Sequence, residues 1–509
     1  MTTDNITTTE HEAITDLREH LRKIALIQHA STILSWDQET HMPSSGGAVR
    51  AEALGELAGI SHKRAQDPAL GESIERAEEA AHASGDEVLQ AMVREVRHDY
   101  ENTLKIPVEH ATETAEVNSK SIQAWQQARE QDDFSAYAPM LTKQVELQKA
   151  EAGYLRDQED CDYDVLMNKY ERGMTSASFA AICRQVVPGL KEIIERVVAR
   201  SLPEPEFFRG PWDKNRQLEF SKDVAKELGY DFSRGGLDLT SHPFCTSPVA
   251  PFDVRITTRV YEDNFTSNLY GVIHEAGHAM YEQGFDEKWI HTPLCDAISL
   301  GIHESQSRFW ENDIGRTEAF WVHFLPQMKQ YFPRILEDVS ANDMAIAVNP
   351  VKPSLIRVDA DEVTYGLHIA LRFEVEQALF SGDLEVKDLP GAWNEKMQEY
   401  LGLTPPNFKD GVLQDIHWSF GAFGYFPTYL LGSLYSAQFH EAISQEIDID
   451  QEVAAGRFSG IFDWLRERIH RQGRQFMPLD LLERAVGKGL DPAIFIDHLD
   501  RKVQSIHGV

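Results

Sequence analysis

The chain has 509 residues, 42% of them hydrophobic and 26% charged, and carries a net charge of −33 from 49 basic and 82 acidic side chains. That charge argues against nucleic acid or an anionic membrane as partner, since it repels both. Four widely spaced cysteines, Cys161, Cys183, Cys245 and Cys295, form no CxxC pair and no disulfide framework, which points to a reducing compartment.

The opening stretch MTTDNITTTEHEAITDL has neither a basic n-region nor an apolar h-region, so no signal peptide is expected and the protein is read as cytoplasmic. Ile14, Leu17, Leu21 and Ile24 follow a 3-4-3 spacing that places them on one face of a helix. A loop at Met42–Gly47 precedes a second helix. Residues 70–156, rich in Ala, Glu, Gln and Lys, continue as helices, with Ala111, Ala115, Val117 and Ile122 as inward positions. SLPEPEFFRGPWDK, residues 201–214, is broken by prolines and a glycine and reads as a loop. The β-branched run Val254–Val260, beside Gly- and Pro-containing sequence from 235, predicts a short strand pair. The helical pattern resumes near residue 266 and reaches the C-terminus. The apolar stretch 420–435 is too short and too interrupted by Gly and Pro to span a bilayer. The expectation is a mainly α protein with one small sheet beside the central motif. One domain is expected over 1–509, with a helical lobe at 1–200 and a second lobe, carrying the central motif, at 201–509.

That motif is GVIHEAGHAMYEQG, residues 271–284. His274 and His278 are four apart, so on a helix they project from one face about 6 Å apart along the axis and can reach one ion. Glu275 lies roughly 100° further round, where it cannot ligate the same ion but can hold the attacking water. Two nitrogen ligands and a carboxylate base make the zincin arrangement. By composition such a five-residue match arises by chance roughly 0.1 times, so the motif alone is moderately specific. A solvated helix face with two histidines is the bland alternative. Against it, Val272, Ile273, Ala276, Gly277 and Ala279 predict a buried helix, where unliganded imidazoles are costly. Gly277 leaves room for another backbone or a substrate.

A third ligand must come from another element, because Glu282, eight residues from His274, lies about 12 Å along the axis. SLGIHESQSRFWEN, residues 299–312, offers His303, Glu304 and Glu311. His303 and Glu304 are adjacent and cannot both ligate. Spacing does not choose between Glu304 and Glu311.

Five stretches in order, DVRIT (253–257), HEAGH (274–278), HESQSR (303–308), IRVDADE (356–362) and GVLQDIHW (411–418), resemble the carboxypeptidase Taq family of zinc metallocarboxypeptidases. So do LSWDQETHMP (34–43), HPF (242–244) and GAFGYFPTYLLGSLYSAQF (421–439), and the likeness covers nearly the whole chain. The resemblance implies a helical body with a deep central groove and a homodimer. It also implies one Zn²⁺ per chain, with Co²⁺ or another divalent ion as an alternative, and removal of single residues from peptide C-termini. It selects Glu304 as third ligand beside His274 and His278.

The resemblance also assigns Arg357 to the substrate carboxylate, a role that suits the guanidinium fork. Arg255 is the other candidate for that carboxylate, but is expected rather in a structural ion pair with Asp253 or a neighbour. Likeness to helical dipeptidyl peptidases, with a tyrosine ahead of a QF segment, makes Tyr429 the oxyanion donor. His417 is read as a substrate contact that also helps the oxyanion, Tyr425 as a substrate contact or core packing, and His242 as a peptide-backbone contact on the small sheet. Glu275 takes the proton of the attacking water and passes it to the leaving amine. A zinc endopeptidase or dipeptidase on the same scaffold is the alternative, and a non-catalytic, metal-stabilised helical binding protein a remote one.

Overall fold

The computed structural model describes residues 3–198 and 205–508, with side chains from Glu12 onward. Helices α1 (Thr3–Thr40), α2 (Gly47–Ala65), α3 (Pro68–Ser84) and α4 (Glu87–Lys105) come first. Then α5 (Val108–Gln131), α6 (Phe134–Leu155), α7 (Asp162–Asn168), α8 (Ser176–Val198) and α9 (Lys214–Leu228) lead to the sheet. Beyond it run α10 (Phe265–Gln283), α11 (Leu300–Arg308), α12 (Glu318–Tyr331), α13 (Ala341–Val348), α14 (Glu362–Ser381), α15 (Leu389–Leu401) and α16 (Pro427–Ser444). The chain closes with α17 (Ile449–Ala454), α18 (Ser459–Arg468), α19 (Pro478–Val486) and α20 (Pro492–His507). The mainly helical class is as expected.

The 3-4-3 face of α1 does what its spacing predicts. Leu17 is fully buried, and Ile14, Leu21 and Ile24 pack beside it on Leu70 and Ile74 of α3 and Met92 and Val96 of α4. On α5 the inward set is corrected: Val117 is buried, with His110, Ser121 and Ala128, whereas Ala115 faces solvent. Positions 110, 117, 121 and 128 keep one helical stripe, and Ala115 lies off it. The main core runs from Ala128 to Val503 and joins α8, α14 and α16 around the α10–α11 pair. Of the proline-rich 201–214 stretch, 201–204 lie outside the described residues, and Glu206–Arg209 make a single 3₁₀ turn.

The strand pair becomes three strands, β1 (Leu237–Leu239), β2 (Cys245–Val249) and β3 (Asp253–Thr258), in the order β1-β3-β2. β2 pairs antiparallel to β3, with a bulge between Thr246 and Val249, and β1 adds parallel to β3. Three residues of β1 carry too little pattern to announce a strand. The buried face of β3, Val254 and Ile256, lies against α10. Trp36 near the end of α1 covers the other side, edge-on to Phe244 at 5.6 Å and under the Arg255 guanidinium.

Candidate metal centre

Asn264 caps α10 by accepting from Ser267 N, and Val272, Ile273, Ala276 and Ala279 on the helix are fully buried, as predicted. The two imidazoles project together, their centroids 4.8 Å apart. α11 starts at Ser299, whose hydroxyl accepts from Ile302 N, and crosses α10 at very short range. A Cβ on Gly277 would lie 2.7 Å from Gln306 O and from Ser307 Cα, so the space left by this glycine holds backbone. On the opposite side of α11, a Cβ on Gly432 of α16 would lie 2.6 Å from Glu304 Cγ. Two glycines thus clamp α11 between α10 and α16, with Glu304 held at the histidines. Gly277→Ala is expected to force α10 and α11 apart, costing about 1–3 kcal/mol. Calorimetry should record a lower Tm, and metal affinity should fall with it, because His278 and Glu304 sit on the two separated helices.

Glu304 Oε2 lies 3.8 Å from His274 Nε2 and 3.5 Å from His278 Nε2. Ligand atoms about 2.1 Å from a tetrahedral ion stand about 3.4 Å apart, so these three atoms suit one small divalent cation. The remaining polar atom of each side chain is fixed. His274 Nδ1 lies 2.8 Å from Glu311 Oε2, His278 Nδ1 3.0 Å from the carbonyl of His303, and Arg308 Nε donates to Glu304 Oε1 at 2.6 Å. A carboxylate and a carbonyl can only accept, so both rings carry a proton on Nδ1, and each ring in its neutral form aims an Nε2 lone pair inward. Such outer partners orient metal-ligating imidazoles.

Glu311, the other open choice, therefore lies behind His274, where its second oxygen takes Arg316 Nη2 at 2.7 Å. In an uninterrupted helix Glu304 and Glu311 would share a face about 10.5 Å apart. Instead the chain passes into a π-helical turn at Phe309–Ile314, which re-aims Glu311. His303 also stays outside the ligand set: its Nε2 lies 2.7 Å from Glu282 Oε1, and its ring stacks on His278. Burial opposes protonation of His274, yet the charges of Glu304 and Glu311 push it up to about 9, a sign that these carboxylates want a cation beside them. Burial, reinforced by Glu304, pushes the Glu275 carboxyl up to about 7.

A second polar group adjoins this one. Arg308 lies over the Tyr365 ring at 4.2 Å, and Tyr365 Oη accepts from Arg357 Nη1 at 3.1 Å. Arg357 Nε and Nη2 donate to Asp415 Oδ1, and Arg372 Nε donates to Asp415 Oδ2 at 2.7 Å. Tyr429 stands one turn before Gly432, its ring 4.9 Å from the Arg357 guanidinium and its hydroxyl 3.1 Å from His417 Nε2. Tyr425 lies 5.4 Å from the Tyr429 ring and 5.2 Å from His417.

The fold thus brings together His274, His278, Glu275 and Glu304, and, next to them, Arg357, Tyr429, His417 and Tyr425. His242 is corrected: it sits in the exposed bend between β1 and β2, not on a strand. Arg255 makes the expected two-pronged pair with Asp253, 2.7 Å at each contact. Sequence reasoning passed over Arg308, Tyr365, Arg372 and Asp415. Tyr365 and Arg372, seven apart on α14, gave a spacing signal. Asp313, Glu362 and His498 also converge, but the Lys502 ammonium already lies against Glu362 and the Asn312 carbonyl.

The sequence profile of the carboxypeptidase Taq (M32) metallopeptidase family matches residues 16–503. The chain belongs to this family. Thermostable carboxypeptidase 1 of Thermus thermophilus is 40% identical over 98% of this chain and its own full length. Carboxypeptidase 1 of Bacillus subtilis is 37% identical over 96% of this chain and 97% of its own. Among solved structures, the M32 carboxypeptidase from Deinococcus radiodurans R1 superposes with a TM-score of 0.94 at 38% identity, covering 98% of this chain and all of that one. Membership of the M32 family bears out the expected reaction class, a metallocarboxypeptidase. It does not favour the endopeptidase, dipeptidase or binding-protein readings.

Proposed function

We propose that this M32 enzyme removes single residues from peptide C-termini, using a divalent ion, zinc first, held by His274, His278 and Glu304. The observation that carries the reading is the trio of inward atoms at 3.5 and 3.8 Å, each with its outer atom pinned. A bound divalent cation supplies Lewis acidity, which activates water and polarises the scissile carbonyl. Glu275 takes the proton from that water and returns it to the leaving amine. A carboxyl pushed up to about 7 is a base of matched strength.

Burial holds the Tyr429 phenol well above its ordinary range, so it stays a donor for the oxyanion. Burial and the Arg357 charge push His417 down to about 3, so the ring is neutral. A proton on its Nε2, donated to Tyr429 Oη, leaves the phenolic proton free for substrate. Arg357 and Arg372 share the single carboxylate of Asp415, so positive charge is in excess where the peptide's terminal carboxylate arrives. Arg357 meets that carboxylate and sets cleavage one residue inward, with Tyr425 and His242 as further peptide contacts. The reading extends to a cytoplasmic homodimer. The free state of all four cysteines and the family resemblance support this, and no described helix is long and apolar enough to cross a membrane.

The test is mass spectrometry of a defined peptide with a free or an amidated C-terminus. Stepwise single-residue losses are expected from the free acid, stopped by chelator and restored by zinc. Amidation leaves the excess positive charge of the Arg357–Arg372–Asp415 group unneutralised and is expected to lower kcat/KM roughly 100-fold or more. Equal cleavage of both peptides would refute the carboxylate anchor.

A further inference from the structure

Tyr365, His368, Arg372 and Glu376 recur on α14 at 3-4-4 spacing and form a polar ridge on a buried helix. The ridge faces the segment that carries His417. Arg372 donates to Gln414 Oε1 and Asp415 Oδ2, each at 2.7 Å. One turn further on, the fully buried Glu376 carboxylate takes three donors: Trp418 Nε1 at 2.6 Å, Gly424 N at 3.0 Å and Tyr163 Oη at 2.8 Å. A carboxylate buried this completely is tolerable only because each contact is a donor.

Two of the three partners frame the proposed oxyanion machinery. Trp418 directly follows His417, and Gly424 directly precedes Tyr425. The path between them is confined. Gly424 has φ +78°, and a Cβ there would lie 2.8 Å from Met167 N. The Trp418 and Gly424 N–H groups can only donate, so both oxygens of residue 376 must accept.

We propose that Glu376 is a positioning residue for hydrolysis: it fixes the 417–425 segment so that His417 and Tyr429 keep their 3.1 Å contact and face the substrate. This rests on the roles proposed above for Tyr429 and His417. Its oxygens point at Trp418, Gly424 and Tyr163, so Glu376 acts only through the segment it holds.

A cycle of zinc-loaded variants tests it. Glu376→Gln turns an amide N–H against one of the donors and is expected to lower kcat roughly 10- to 100-fold, with KM and zinc content little changed. Trp418→Phe removes the donor the amide would oppose, so the double variant Glu376→Gln/Trp418→Phe should regain part of that loss. Tyr429→Phe alone tests the underlying reading, which fails if kcat stays at wild type. Given a loss with Tyr429→Phe, the effect of Glu376→Gln in that background should be much smaller than in wild type. An equal effect in both backgrounds, or wild-type kcat for Glu376→Gln, overturns the positioning role. If Glu376→Gln does not fold, Trp418→Phe takes its place in the cycle with Tyr429→Phe, and the same reduction is expected.

Discussion

Glu275→Gln is expected to lower kcat about 1000-fold while one zinc per chain stays bound, a loss typical of a missing general base. Glutamine keeps the size of the side chain, so α10 packs as before and the three inward donor atoms are untouched. No described group donates a hydrogen bond to Glu275, so the substitution orphans no partner and the Tm should hold. Measuring zinc content, Tm and single-turnover rate on one preparation separates the chemical loss from a folding loss. The pH dependence follows in sign. The base must be unprotonated, so activity falls as pH drops through its pKa. Burial places that pKa at about 7, and a bound cation beside it draws it lower. The acid limb of the wild-type profile therefore lies at or below about 7 and is absent from the residual activity of Glu275→Gln. Wild-type turnover by this variant would remove Glu275 from the mechanism.

How far the site could be read in advance depended on how local each feature is. His274, Glu275 and His278 are positions on one helix, and helical geometry alone places them. The burial of α10 was legible in the small and apolar residues that flank them. The space at Gly277 was legible too, though only the fold reveals that Gln306 and Ser307 fill it. The partners of Arg357 were not legible, because Asp415 and Tyr365 meet it across turns and helices that no periodicity connects. His242 was misplaced for a similar reason. HPF lies in the Gly- and Pro-containing sequence that leads to the β-branched run, but the strand starts at Cys245 and the histidine falls in the bend before it. The family resemblance added Arg357 and Glu304, and the likeness to helical dipeptidyl peptidases added Tyr429; on α14 the seven-residue spacing of Tyr365 and Arg372 was legible, but what those side chains meet needed coordinates.

The choice between Glu304 and Glu311, open to spacing, yields a pair of opposite results. Glu304→Gln is expected to fold but to lose its metal on desalting, and with it all activity. Its amide oxygen still accepts from Arg308, while its amide N–H groups turn toward the lone pairs on His274 Nε2 and His278 Nε2 and take the place of the ion. The amide keeps an acceptor for Arg308 but not its counter-charge, so the Tm falls by less than with alanine, which removes both at a cost of about 3–5 kcal/mol for a buried pair. Glu311→Gln keeps an oxygen for His274 Nδ1 but turns an amide against Arg316, which now donates to Glu311 at 2.7 Å. The imidazole stays in place with a weaker tether, so zinc affinity should drop roughly 10- to 100-fold and activity should return at saturating zinc. Titrating zinc into both chelator-treated variants and following uptake and peptide cleavage together reads the two outcomes. If Glu311→Gln were the variant that no zinc concentration rescued, while Glu304→Gln still took up zinc and cleaved, Glu311 would be the ligand and the π-turn would swing inward on metal binding.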